Sequence, residues 1–128
     1  MLLYETLTEK IIEAFYKVYN TLGYGFLEKT YERALLYELQ LQGLNVSNQH
    51  PIEVYYNGKI VGQYFADIQV EQKIILEIKA AELIAKEHEY QSINYLKATE
   101  MEVGLLLNFG KNAEFKRKIF TNDKKQIR

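Results

Sequence analysis

Tyr64-Phe65-Ala66-Asp67-Ile68-Gln69-Val70, a polar link Glu71-Gln72-Lys73, and Ile74-Ile75-Leu76-Glu77-Ile78-Lys79 form the stretch on which the fold turns. Both runs are short, apolar and β-branched, so they read as strands. Side chains alternate along a strand, which puts Ile74, Leu76 and Ile78 on one face and Ile75, Glu77 and Lys79 on the other. In the first run Tyr64, Ala66, Ile68 and Val70 share a face, and Asp67 lies opposite with Phe65 and Gln69. A two-residue turn would set Ala66 against Glu77. A three-residue loop, Glu71-Gln72-Lys73, pairs Ala66 with Ile78, Ile68 with Leu76 and Val70 with Ile74, so that burial fixes the register. That register sets Asp67 directly opposite Glu77, with Lys79 beside them.

Upstream, Ile52-Glu53-Val54-Tyr55-Tyr56 reads as a further strand, and Asn57-Gly58 is a strong hairpin-turn signal. Pro51, the only proline, falls in the strand or the loop before it. Ahead of the strands, apolar residues from Leu3 to Leu22 recur in steps of three and four, which predicts an amphipathic helix ended by Gly23-Tyr24-Gly25. A second helix is predicted from about Glu28 to Gln42, with Tyr31, Leu35, Leu39 and Leu41 as its core positions. Downstream, residues 86–99 return to helical spacing, Val103–Phe109 reads as a buried strand, and Phe115–Phe120 alternates apolar and basic residues as an edge strand would. This order predicts an α/β (α+β) fold, a mixed central β-sheet flanked by helices. One domain over residues 1–128 is expected, with 118–128 as the end of the edge strand and a basic tail.

Opposed carboxylates with Cβ atoms roughly 5 Å apart repel unless a positive charge lies between them. Mg2+ suits such a pair, since it takes one or two carboxylates and keeps waters and phosphate oxygens as its other ligands. A lysine alongside is placed to orient a water or to stabilise charge on a phosphorane-like transition state. The bland alternative is a Glu77–Lys79 salt bridge on a half-exposed face.

Composition excludes much else. There is no cysteine, which removes disulfide, Cys-zinc and thiol chemistry, and two histidines, His50 and His88, are too few for a multi-His metal site. No apolar run reaches a membrane span and the N-terminus has no signal-peptide pattern, so a cytoplasmic location is expected. The net charge of −1 hides an asymmetry. Residues 51–110 carry five basic and nine acidic side chains, whereas residues 111–128 carry seven basic and two acidic. Lys116, Arg117 and Lys118 in that basic end are a candidate phosphate-binding footprint, or else a solvated strand face and tail.

Asp67 followed by Glu77-Ile78-Lys79 on adjacent strands resembles the PD-(D/E)xK nuclease motif. Gly25-Phe26-Leu27-Glu28-Lys29-Thr30-Tyr31 also reads as GxxExxY. Together with Leu7-Thr8-Glu9-Lys10-Ile11-Ile12, His88-Glu89-Tyr90-Gln91 and Leu105-Leu106-Leu107-Asn108-Phe109-Gly110, the chain resembles the bacterial GxxExxY protein family of that superfamily. The resemblance implies a restriction-endonuclease-like core and a Mg2+-dependent nuclease in which Mn2+ can substitute. It implies Asp67 and Glu77 as metal ligands, Glu28 as an additional acid at the metal, Lys79 as the catalytic lysine, and Gln91 as its companion from the following helix. Tyr31, His88 and Gly25 are implied as supporting residues. Three positions depart from the pattern: Ala66 replaces the motif proline, Phe65 stands where an arginine is expected, and Tyr24 replaces a proline between the glycines. Residue by residue other readings stay open. Glu28 also suits a helix first turn, Tyr31 a core position, His88 a helix start, Gln91 a surface, and Gly25 a backbone requirement.

The expected partner is nucleic acid, DNA ahead of RNA, with no membrane and with a homodimer open to so small a core. The competing function is a catalytically inactive nuclease-fold module that binds nucleic acid or a protein partner.

Overall fold

The computed structural model describes residues 3–126. Helices α1 (Glu5–Leu22) and α2 (Glu28–Leu41) come first. Strands β1 (Val46–Tyr56), β2 (Lys59–Val70) and β3 (Ile74–Lys79) follow, then helix α3 (Lys86–Lys97) and strands β4 (Val103–Phe109) and β5 (Ala113–Ile119). The five strands form one sheet in chain order. β3 and β4 are parallel and every other neighbouring pair is antiparallel, so the sheet is mixed, as its sequence implied. A parallel pair needs a long crossover, and α3 supplies it.

Helices cover both faces. Ile11, Phe15 and Val18 of α1 and Tyr31, Leu35 and Leu39 of α2 pack on Ile68, Leu76, Ile78, Leu105 and Phe109. On the opposite face Tyr95 and Leu96 of α3 pack with Ile52, Ala66, Ile75 and Met101. β4 is buried along its whole length, as a central strand with both faces covered must be.

Several boundaries and one core position differ from the sequence reading. β1 starts at Val46, not Ile52, and carries Pro51 opposite Phe65; as an outer strand it tolerates the missing N–H. α3 ends at Lys97, and β5 starts at Ala113, two residues early. Leu41 is 63% exposed, because two residues after the buried Leu39 it points to the opposite side of α2. Glu32 of the same helix, not expected inside, is buried.

Through Lys125 the basic end is folded against the protein. After β5 a short 3-10 turn, Asn122–Lys124, folds back, and the Lys125 ammonium donates to the carbonyls of Thr99 (2.8 Å) and Met101 (2.7 Å). Burial holds the Lys125 pKa below its usual value, against the pull of Glu102 and Glu100. Ile127 and Arg128, the last of the expected tail, lie outside the described residues, as do Met1 and Leu2.

Candidate active site

The Glu71-Gln72-Lys73 link behaves as the odd-numbered loop its register required. Glu71 and Gln72 take positive φ (55° and 54°), Lys73 N–H donates to Val70 O, and Val70–Ile74, Gln69–Ile75 and Ile68–Leu76 pair. There the ladder stops. The expected Ala66–Ile78 pair does not form, because the Asp67 carboxylate accepts the Ile78 N–H at 2.7 Å, where β2 backbone would have bonded. Across the hairpin Gln49, between the paired Asn48–Ile68 and His50–Ala66, has φ 51°, a left-handed conformation that breaks the pleat. Alternation therefore slips at Asp67. Ile68 packs under α1 and α2, whereas Ala66, expected on that face, packs with α3.

β3 keeps its β4 partner to the end, Lys79 opposite Asn108. Its second half has thus lost one neighbour, and the sheet opens at the C-terminal ends of its parallel strands. Open α/β sheets bind ligands at such ends.

Glu77 sits in this opening at 3% exposure, with Oε1 unpartnered. Burial first, then the negative charge of Asp67, pushes its pKa up to about 9, although Lys79 pulls it down. Among the described residues no ion pair joins Glu77 to Lys79, so the E-x-K pattern is not a salt bridge. Instead the Lys79 ammonium donates, at a long 3.5 Å, to Gln91 Oε1. Gln91 Nε2 in turn donates to the Tyr95 hydroxyl at 3.1 Å. α3 therefore presents a relay from its buried face to the lysine, with Gln91 and Tyr95 one turn apart.

Gly25, Glu28 and Tyr31 form one local device. Gly25 holds φ 114°, which a side chain would strain. Tyr31 is fully buried, stacks on Phe109 with ring centroids 4.4 Å apart, donates its hydroxyl proton to Gly23 O (2.5 Å) and accepts from Phe26 N–H (3.1 Å). The loop is pinned from beneath, and Glu28 is delivered in the first turn of α2, where its Oε2 accepts the Ala80 N–H at 3.3 Å. Glu28, Asp67 and Ala80 line one groove of about 570 Å³ with Glu32 and Gln49.

Glu32 is the residue that sequence reasoning missed. Its carboxylate accepts from Gln49 Nε2 at 3.2 Å on both oxygens, lies 3.7 Å from Lys29, and adds to the negative field at Glu77. The Glu28-x-x-x-Glu32 spacing was its available signal.

Other candidates are placed elsewhere. His88 Nδ1 accepts the Ala85 N–H at 3.1 Å and closes the start of α3. Lys116 and Lys118 both donate to Glu89, whose pKa is lowered by the bond from Lys118 and then by Lys116. Arg117 points to the other face and donates to Leu3 O. These three side chains do not make one phosphate-binding patch.

Asp67 and Glu77 fit a divalent cation by chemistry. A buried, unpartnered carboxylate oxygen beside a second carboxylate is a site that a positive charge relieves. Glu28 lines the same groove, but no group of three or more ligating His, Asp or Glu side chains closes on one point among the described residues. The fit is to an ion with two protein carboxylates and water for the rest.

A family model described as PD-(D/E)XK nuclease superfamily matches residues 5–119. The crystal structure of SSO0001 is similar, with a TM-score of 0.58 and 20% identity, over 75% of this chain and 51% of that one. The match spans about half of that solved chain, and at this identity it shows a shared fold. No curated protein matches the sequence.

Proposed function

The chain belongs to the PD-(D/E)XK nuclease superfamily, and on that premise we propose that it is a Mg2+-dependent nuclease hydrolysing phosphodiester bonds, with Mn2+ as a working substitute. Membership implies nucleic acid as the ligand, and divalent metals are general in the superfamily. The finer placement in the GxxExxY family, action on DNA ahead of RNA, a single nuclease-like domain over residues 1–128, a cytoplasmic setting and a homodimer are parts of the same proposal. No helix among the described residues is long and apolar enough to cross a membrane.

One observation carries the reading: the unpartnered Glu77 Oε1, buried beside Asp67 where the sheet opens. Asp67 and Glu77 would hold the ion, with Glu28 at the groove wall. A bound divalent ion supplies Lewis-acid neutralisation of the scissile phosphate. Lys79, steadied by Gln91 and through it by Tyr95, puts an ammonium beside the carboxylates, where it orients the attacking water and offsets charge growing on phosphorus. Gln91 is a positioning residue in this scheme. Tyr31 and Gly25 hold the loop that carries Glu28.

Purified protein is expected to bind Mg2+ or Mn2+ and to cut at least one of duplex, single-stranded, branched or RNA substrates. Asp67→Ala and Lys79→Ala should abolish cutting without unfolding the chain. No cleavage of any of these with either metal would sink the enzyme reading. The second reading, a nuclease-fold module that binds without cutting, draws on the small ligand set, two carboxylates with no third ligating side chain closing on them among the described residues. It requires salt-sensitive binding that survives Asp67→Ala and weakens when Lys116 and Lys118 are neutralised.

A further inference from the structure

On the far side of Gln91 from the carboxylate groove lies a cavity of about 450 Å³, the size of a small-ligand pocket. Its walls are Val54 and Tyr64 from the β1–β2 hairpin and Tyr90 and Tyr95 from α3, with Glu87 and Asn94 at the rim. Tyr64 and Tyr95 are in contact, ring centroids 5.8 Å apart and tilted by 46°. The nuclease mechanism above uses none of Val54, Tyr64, Glu87, Tyr90 or Asn94.

Resting on the nuclease reading, we propose that this cavity takes one unstacked nucleobase of the substrate strand. Three features select that occupant. The walls are aromatic, and a base has a π-face to lay against a tyrosine whatever its identity. Among the described residues the only charged lining residue is Glu87, and no Lys or Arg lines the cavity, so a phosphate is repelled while a base edge is not. The side chains of Glu87, Tyr90 and Asn94 make no hydrogen bond among the described residues, which leaves carboxylate, hydroxyl and amide groups free for the polar edge of a base. The cavity adjoins the candidate site through Gln91, which both lines it and accepts from Lys79. A base held there places its own strand beside the lysine. The substrate class that follows is a single strand, or a strand end or gap whose bases are free to leave the stack.

Equilibrium binding in chelator, where no cutting occurs, tests this. The probes are a short single-stranded DNA, the same strand as RNA, and the DNA strand annealed to its complement. Single strands should bind more tightly than the duplex, with the stronger of DNA and RNA identifying the source of the base. Tyr64→Ala and Tyr90→Ala should each weaken single-strand binding by at least about fivefold, on the scale of one lost base–aromatic stack. Tyr64→Phe should restore it, and Tyr90→Phe should restore it in part, since the Tyr90 hydroxyl also faces the base edge. Tyr64 is 48% exposed and Tyr90 63%, so truncation leaves the core intact, and unchanged thermal melting of the variants checks this. Duplex binding as tight as single-strand binding, or alanine variants that bind like wild type, would overturn the proposal. Metal-loaded wild type that binds single strands in this pattern yet cuts nothing would count against the nuclease reading alone. Cutting that persists with unchanged binding in both alanine variants would remove the pocket alone.

Discussion

Glu77 is an acid enclosed by strands and helix with no partner for Oε1, and its protonation couples the site to stability. Its folded pKa, about 9, lies above the ordinary 4.5. Between those values the folded chain holds a proton that the unfolded chain has released. Stability from this group is therefore full below the unfolded value and declines as pH rises toward the folded one. Metal-free wild type should lose stability between pH 5 and pH 9 by more than Glu77→Gln does, as read by urea midpoints; parallel pH profiles would contradict the burial. Saturating Mg2+ should weaken that slope, because the ion needs the charged form. Tyr31 makes a second residue-scale test. Tyr31→Phe keeps the stack on Phe109 but loses the bonds to Gly23 and Phe26, so it should cost about 1 kcal/mol and lower cleavage by loosening the loop that carries Glu28. Asp67, Glu77 and Lys79 were legible in the sequence because each is a charge at a position where strand alternation calls for an explanation. Glu32 was not, since only its contact with Gln49, from another element, makes it a buried side chain rather than a surface acid.

Elements decide where the site can be. β2 breaks step at Asp67 because one side-chain-to-backbone bond, to Ile78, outcompetes the continuation of the ladder. No periodicity reports such a bond, so the sequence foretold the register as far as Ile68–Leu76 and missed the opening beyond it. At the end of β3, Asn108 of β4 accepts from Ala81 N–H and donates to Ala81 O, both at 2.9 Å, which clamps the chain just after Lys79. Asn108→Ala should lower stability by about 1–3 kcal/mol, the range for buried groups left unpaired, and should reduce cleavage; a variant as stable as wild type would show that the clamp is not needed. The basic face of β5 reads as unpaired in the sequence because its neutralising partner is remote: Glu89 of α3 engages Lys116 and Lys118. Freeing them with Glu89→Ala should tighten nucleic-acid binding and steepen its salt dependence, by up to about 1.8 in log–log slope if both reach phosphates. An unchanged slope would place that face away from the ligand.

At the scale of the molecule, a near-neutral chain divides its charge between an acidic middle and a basic end, and the structure gives each half a different use. The acidic middle supplies Asp67 and Glu77 to the gap in the sheet, beside Glu28 and Glu32 from α2. Much of the basic end is held within the protein, through Lys116, Lys118, Arg117 and Lys125. Binding to a polyanion without a metal is accordingly expected to be modest. An ion that binds only the folded state should stabilise wild type, by about 2.7 kcal/mol at a hundredfold excess over its Kd, and should leave Glu77→Gln nearly unmoved in the same melt. In the proposed nuclease Asp67 and Glu77 share a divalent cation. Anomalous diffraction from crystals soaked in Mn2+ tests it most directly. A peak within bonding distance of both carboxylates is the expected result; no peak there, with Glu77 Oε1 still unpartnered, would contradict it.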